Sequence, residues 1–147
     1  MNNIMIEVFR SLGRADALAL RAEAATLTGT QIIEREHSAP AFDPAKDYSD
    51  FPAGSPVTDG GQVWLLIQPH NAAHYAGRPA ELRALWGLAH TKDPARAKTW
   101  VTPYGTSGMY MAGECYKAED GTVWRCRNDN TVHDAAALPS GWEAVTA

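Results

Sequence analysis

Tyr48-Ser-Asp-Phe-Pro-Ala-Gly54-Ser-Pro-Val57, then Gly61-Gln-Val63-Trp64, is echoed by Tyr110-Met-Ala-Gly113-Glu-Cys-Tyr116, then Gly121-Thr-Val123-Trp124. Each stretch has an Ala-Gly turn and an apolar residue three positions after its glycine. A Gly-x-Val-Trp strand follows, starting one residue later in the second copy. Six residues past the tryptophan stand His70 and Asn130, and nine further on Pro79 and Pro139. Each copy ends on a tryptophan, in Leu85-Trp86 and Gly141-Trp142. So many matching offsets mark an internal repeat.

A hairpin suits each copy. Asp59-Gly60 and Asp120-Gly121 read as two-residue turns, because glycine tolerates positive φ. An Asp120-Gly121 turn pairs Glu119 with Thr122 and, counting outward, sets Cys115 opposite Cys126. The cysteines then read in three ways: a disulfide, two reduced small hydrophobes, or residues of a shifted register. A module of this size has little core, and one indole supplies much of it. Trp86 and Trp142 are therefore expected to fold back as core residues. Trp64 and Trp124 sit at strand positions open to either a core or a platform role.

Working outward, Gly87 to Gly108 joins the copies and contains Trp100-Val-Thr-Pro103-Tyr104-Gly105. It reads as the leading strand of the second copy, or as a bridge burying Trp100 between the two. Apolar and aromatic residues in it point to a rigid connection rather than a flexible one. Arg78, Arg83, Lys92, Arg96 and Lys98 make the stretch from the end of the first copy onward locally basic, as a solvated linker or as a contact for an acidic neighbour or an anionic cell-wall polymer.

Before the repeat, Ser38-Ala-Pro40-Ala-Phe42-Asp-Pro44 cannot stay helical, since both prolines lack a donor and restrict their predecessors. The head, residues 1–40, is helix-coloured. Ile4, Val8 and Leu12 recur at helical spacing, and Ala15 to Leu27 is rich in strong helix formers. Thr28-Gly29-Thr30 reads as a stop or kink before another turn. The head is too small and too Ala-rich to bury a core of its own. It is expected to pack on a partner, a second copy or a neighbouring protein; its own β-body is the alternative. The predicted fold is α+β: an N-terminal helix over 1–40, then small antiparallel β-modules over 41–90 and 91–147.

A net charge of −4 disfavours nucleic acid. No apolar run is long enough to span a membrane. Met1 to Leu12 carries Glu7 within its apolar stretch and no basic lead-in, so a secretory signal is not expected and synthesis in the cytoplasm is. His70 and His74 have i, i+4 spacing, but Pro69 and the strand-like Leu65-Leu66-Ile67 place them on a loop, so no metal site is expected. No phosphate loop and no Gly-x-Ser-x-Gly elbow is present, so neither catalytic residues nor a cofactor are expected.

The layout resembles the chitin-binding-type carbohydrate-binding modules of families 5 and 12. Gly54-Ser-Pro-Val57, Gly61-Gln-Val-Trp64, Gln68-Pro-His70-Asn71, Pro79 and Ala84-Leu85-Trp86 carry the likeness in the first copy. Tyr110, Gly113-Glu-Cys-Tyr116, Gly121-Thr-Val-Trp124, Asn130-Thr131, Pro139 and Trp142 carry it in the second. The family's exposed aromatics between second strand and proline are reduced here to His74 and Tyr75 in the first copy, with none in the second. The resemblance implies polysaccharide binding, with Tyr75, Trp64 and Trp124 as stacking faces and His70 and Asn130 as polar partners. The helical head before such modules also resembles small proteins encoded among bacteriophage tail genes. That likeness implies a non-enzymatic virion protein, held by its head as a homo-oligomer among other tail proteins. The alternative is a purely structural virion protein that uses the modules for protein contact.

Overall fold

A computed structural model describes the backbone of residues 3–146 and the side chains of residues 13–146. The fold is α+β, an N-terminal helical head followed by two small, mostly antiparallel sheets. Helix α1 spans Asn3–Glu23 and short helix α2 spans Gly29–Glu34. The first sheet has the order β1-β2-β3, with β1 Pro56–Asp59, β2 Gln62–Leu66 and β3 Trp86–Leu88. The second has the order β4-β5-β6-β7, with β4 Lys98–Thr99, β5 Cys115–Lys117, β6 Val123–Cys126 and β7 Trp142–Ala144.

The sheets match in register at equivalent positions. Val57 pairs with Trp64 as Tyr116 pairs with Trp124, and Leu66 pairs with Trp86 as Cys126 pairs with Trp142. Gly54 donates to the Leu66 carbonyl at 2.7 Å, and Gly113 to the Cys126 carbonyl at 2.8 Å. The repeat also begins earlier than its sequence suggests. Ala41 bridges Thr58 in parallel, just as β4 runs parallel to β5 with Thr99 opposite Lys117. Phe42 therefore corresponds to Trp100, which follows the leading strand of the second copy. Phe42 stacks on Tyr48 at 9° between planes and meets Trp86 edge-on at 85°. Trp100 stacks on Tyr110 at 9° and meets Trp142 edge-on at 79°. Each small core is thus a three-ring keystone, in offset and edge-to-face geometries that aromatic pairs favour.

The hairpin turns differ from the expected ones. Asp59 and Gln62 face each other, so the first turn is Gly60-Gly61, one residue past the expected Asp59-Gly60. Both glycines have positive φ, +60° and +78°, as a type I′ turn requires. The second loop has three residues, Glu119-Asp120-Gly121, closed by Gly121 N–H to the Ala118 carbonyl at 2.9 Å. Gly121 at φ +88° supplies the left-handed position that ends such a loop. The extra residue shifts the register by one, and Cys115 lies opposite Arg125, not Cys126. Since strand side chains alternate, the two thiols point to opposite faces. Both are free and buried.

Among the described side chains, the later part of the head packs on its own body, the alternative expected of it. Ala24, Ile32 and Ile33 form one cluster with Val63 and Ala89, flanked by Leu27 and Leu65. Thr28 caps α2 in a reciprocal box with Gln31, which explains the helix restart at Gly29. Gly29 itself is indispensable to docking: a Cβ there would stand 2.4 Å from the His90 carbonyl oxygen. Lys98 pairs with Glu36 at 2.8 Å, and the Lys92 N–H donates to Thr30 Oγ1 at 2.9 Å. Residues 13–16, 18 and 19 of α1 are exposed, while Leu20 is fully buried. The stripe expected from Ile4, Val8 and Leu12 lies outside the described side chains.

Strand β2 is consequently covered on both faces, by the head through Val63 and by the aromatic core through Trp64 and Leu66. That is why Val63-Trp-Leu-Leu66 reads as one apolar run. In β6 the face turned away from the core carries Arg125, paired with Glu143 across β7 at 3.6 Å. The segment between modules is tied down at several points. Gln62 Nε2 donates to the Thr99 carbonyl at 3.0 Å, Arg83 to the Thr102 carbonyl at 2.9 Å and His90 to the Gly108 carbonyl at 2.8 Å.

Candidate functional site

The cross-strand pair at the middle of each hairpin sets what its module presents. In the first module that pair is Val57 and Trp64, and it is sealed. Trp64 is 1% exposed, its Nε1 donates to the Asp59 carbonyl at 3.3 Å, and the Arg83 guanidinium lies 5.4 Å over its ring. Val101, from the following segment, packs on the same cluster. The stacking role expected of Trp64 is therefore corrected to a core role, because neither ring face is open.

In the second module the pair is Tyr116, still buried, and Trp124, half-buried, and both line an open cleft of about 650 Å³. Trp100 forms a further part of the floor, with Thr99, Lys117 and Asp134 around it and Glu119 and Asp120 at the hairpin end. The rings are held from behind. Trp100 lies parallel to Tyr110 at 4.8 Å, and Tyr110 in turn stacks on His90 at 3.7 Å. Tyr116 stands edge-on to Trp142 at 4.8 Å, and its hydroxyl accepts the Ala135 N–H at 2.9 Å. Burial is the main reason its phenol is pushed up from the ordinary tyrosine value, so it stays protonated and able to donate.

The rim is acidic. Asp120 accepts the Thr122 N–H at 2.9 Å, and this bond holds its carboxyl below the usual range. Asp134 accepts the Ala137 N–H at 3.0 Å through one oxygen, which fixes the carboxylate beside the floor. Three carboxylates and one ammonium thus surround the aromatic surface. Flat apolar rings beside fixed acceptors match the alternating apolar faces and hydroxyl edges of a pyranose.

The remaining expected residues are not brought to this cleft. His70 is buried against Tyr48 and Trp86, with Nδ1 2.7 Å from the Gln68 carbonyl, so its role as a sugar partner is corrected to one within the core. Asn130 is exposed at φ +59°, in a turn outside the cleft lining. Its neighbour Thr131 is the structural counterpart of His70. The Thr131 carbonyl accepts the Tyr110 N–H at 3.0 Å, as the His70 carbonyl accepts that of Tyr48 at 2.8 Å. The even count of six residues past each tryptophan therefore misses by one. Tyr75 is exposed, and it lies elsewhere, edge-on to His70. Trp86 and Trp142 lie wholly inside their modules.

Trp100 and Tyr116 are the cleft residues that sequence reasoning did not assign to a ligand. The repeat could have found Trp100 had it been extended back to Phe42. Among the described residues no group of three or more His, Cys, Asp or Glu side chains is placed to hold a metal ion, and no helix is long and apolar enough to cross a membrane. No protein-family model matches the chain, and no curated protein matches it significantly.

Proposed function

We propose that this chain is a non-enzymatic polysaccharide-binding protein of a phage or prophage tail, and that the second module holds its sugar site. One observation carries the binding part: Trp100 and Trp124 are half-buried on an open cleft beside Tyr116, where the matching Phe42 and Trp64 of the first module are buried. The acidic rim favours a neutral or amine-bearing glycan over an anionic polymer, because like charges around a shallow site repel. The tail assignment draws on the layout of helical head and tandem modules, as does assembly with tail proteins in the virion. The exposed stretch of α1 around Leu18 would serve to anchor the chain there as a homo-oligomer. The structural alternative, modules used only for protein contact, suits the first module, whose central strand is covered on both faces.

The test is retention of the full chain on insoluble polysaccharides and on host cell-wall preparations. Wild type is expected to be retained, and Trp124→Ala to lose at least about tenfold in affinity, in line with the loss of a stacking ring. A wild-type chain that binds no glycan and no wall preparation would overturn the sugar reading. Near-identical retention of Trp124→Ala would move the site away from the second module.

A further inference from the structure

The modules differ in the stretch between the first two keystone rings. Phe42 and Tyr48 are six residues apart, whereas Trp100 and Tyr110 are ten apart. The longer connection turns back on the first module. Tyr104 and Ser107 exchange backbone hydrogen bonds at 2.9 Å each, and Gly105 at φ +57° closes that turn. Arg83 Nη1 holds the turn from below through the Thr102 carbonyl at 2.9 Å, and His90 holds its far end through the Gly108 carbonyl at 2.8 Å. The turn carries Tyr104, 63% exposed, to the surface where Tyr75 stands 46% exposed. Both tyrosines line one cleft of about 540 Å³, together with Glu81, Arg83 and Leu85. Tyr75 is fixed from the side by the buried His70 ring at 5.3 Å and 88°.

We infer that the Tyr75–Tyr104 cleft is a second sugar-binding site, assembled from the first module and the extra turn of the second. It rests on the reading of the chain as a polysaccharide-binding protein. Two large apolar rings left in water on one cleft are unusual in so small a protein, and both are held by backbone turns or a packed neighbour. The cleft has the volume of a site for a small ligand such as a few sugar rings. Tyrosine faces stack on pyranose rings while their hydroxyls and the Glu81 carboxylate offer hydrogen bonds. The ligand class is a neutral or amine-bearing pyranoside, the same as that of the first cleft. One chain of polysaccharide with repeating units would meet both sites, and retention would exceed the affinity of either.

The experiment is amide NMR titration of the full chain with trisaccharides of β-1,4-linked glucosamine, acetylated and free. These probes are short enough not to need both clefts. Two separate groups of shifts are expected, one around Trp124 and one around the Tyr104–Ser107 turn. Tyr104→Ala should erase the second group and leave the first, with the melting temperature unchanged because Tyr104 is exposed. On insoluble polymer the same variant should lose about tenfold in retention. Shifts confined to the Trp124 cleft, or a turn group that survives Tyr104→Ala, would overturn this inference and leave the first site standing. No shift with either trisaccharide would overturn it as well. Retention on wall polymer would then decide separately whether the first site survives.

Discussion

Set side by side, the two modules keep the same skeleton and opposite surfaces. Phe42, Tyr48 and Trp86 repeat as Trp100, Tyr110 and Trp142, with stacking angles of 9° in both. At the cross-strand pair, Val57 and Trp64 are both buried, whereas of their counterparts Tyr116 is buried and Trp124 is half-buried on a cleft. The keystone must be the same because each module has little else to bury. The cross-strand pair is free to differ because its burial depends on what lies over it. In the first module Arg83 and Val101 lie over that region, and among the described residues the second has no equivalent cover. A ring at a strand position is thus core or platform according to the neighbouring chain, not according to its own module.

The largest way to break this comparison is to remove a keystone. Trp86→Ala and Trp142→Ala should each cost about 3–5 kcal/mol, the range for deleting a large buried ring, in chemical denaturation. Loss of only one module's signal on Trp86→Ala would show that the modules fold separately. Simultaneous loss is expected, because Gln62, Arg83 and His90 tie the first to the second.

The joint itself should respond to pH. His90 is stacked on Tyr110, and burial pushes its pKa down to about 4, with the Arg83 charge acting in the same direction. Its folded value is below the unfolded one near 6.5, so its contribution is fully present above pH 6.5. It is lost as pH falls from there towards 4, by about 3 kcal/mol at most. Denaturation midpoints at pH 7.5, 5.5 and 4.5 should fall more steeply for wild type than for His90→Phe. Parallel slopes would show that His90 does not titrate against a neutral, buried state.

A finer contrast separates the two keystone indoles. Trp142 Nε1 donates to the His133 carbonyl at 2.8 Å, whereas among the described residues Trp86 Nε1 has no hydrogen-bond partner. Trp142→Phe should therefore cost about 1 kcal/mol more than Trp86→Phe, the net value of one hydrogen bond. Equal costs would remove this difference between the cores.

The fold was legible where local rules act. Glycines at turns, strand-like Gly-x-Val-Trp segments and closing tryptophans repeat because each module meets the same steric and burial demands. Register was less legible. Asp59-Gly60-Gly61 offers two adjacent turn choices, and Asp120-Gly121 serves equally as a two-residue turn or the end of a three-residue loop. That single step decides whether Cys115 meets Cys126 or Arg125. The docking of the head was hidden because it depends on a close approach between Gly29 and the His90 backbone, far apart in sequence. The candidate site was legible only at Trp124. Trp100 and Tyr116 belong to it through tertiary placement, and His70 leaves it because Tyr48 and Trp86 enclose its ring.

The unequal hairpin loops have a consequence for how such a chain can change. Two residues turn the first hairpin and three turn the second, yet Val57–Trp64 and Tyr116–Trp124 stay matched. A gained or lost codon at the loop is absorbed there and never reaches the strands. The same codon inserted two positions earlier would turn every later side chain of that strand inside out. Length can therefore drift between copies at the tips and in the lead-in segment, while the paired positions stay in step. For anyone grafting or recombining these modules, the tip glycines are the seams at which to cut.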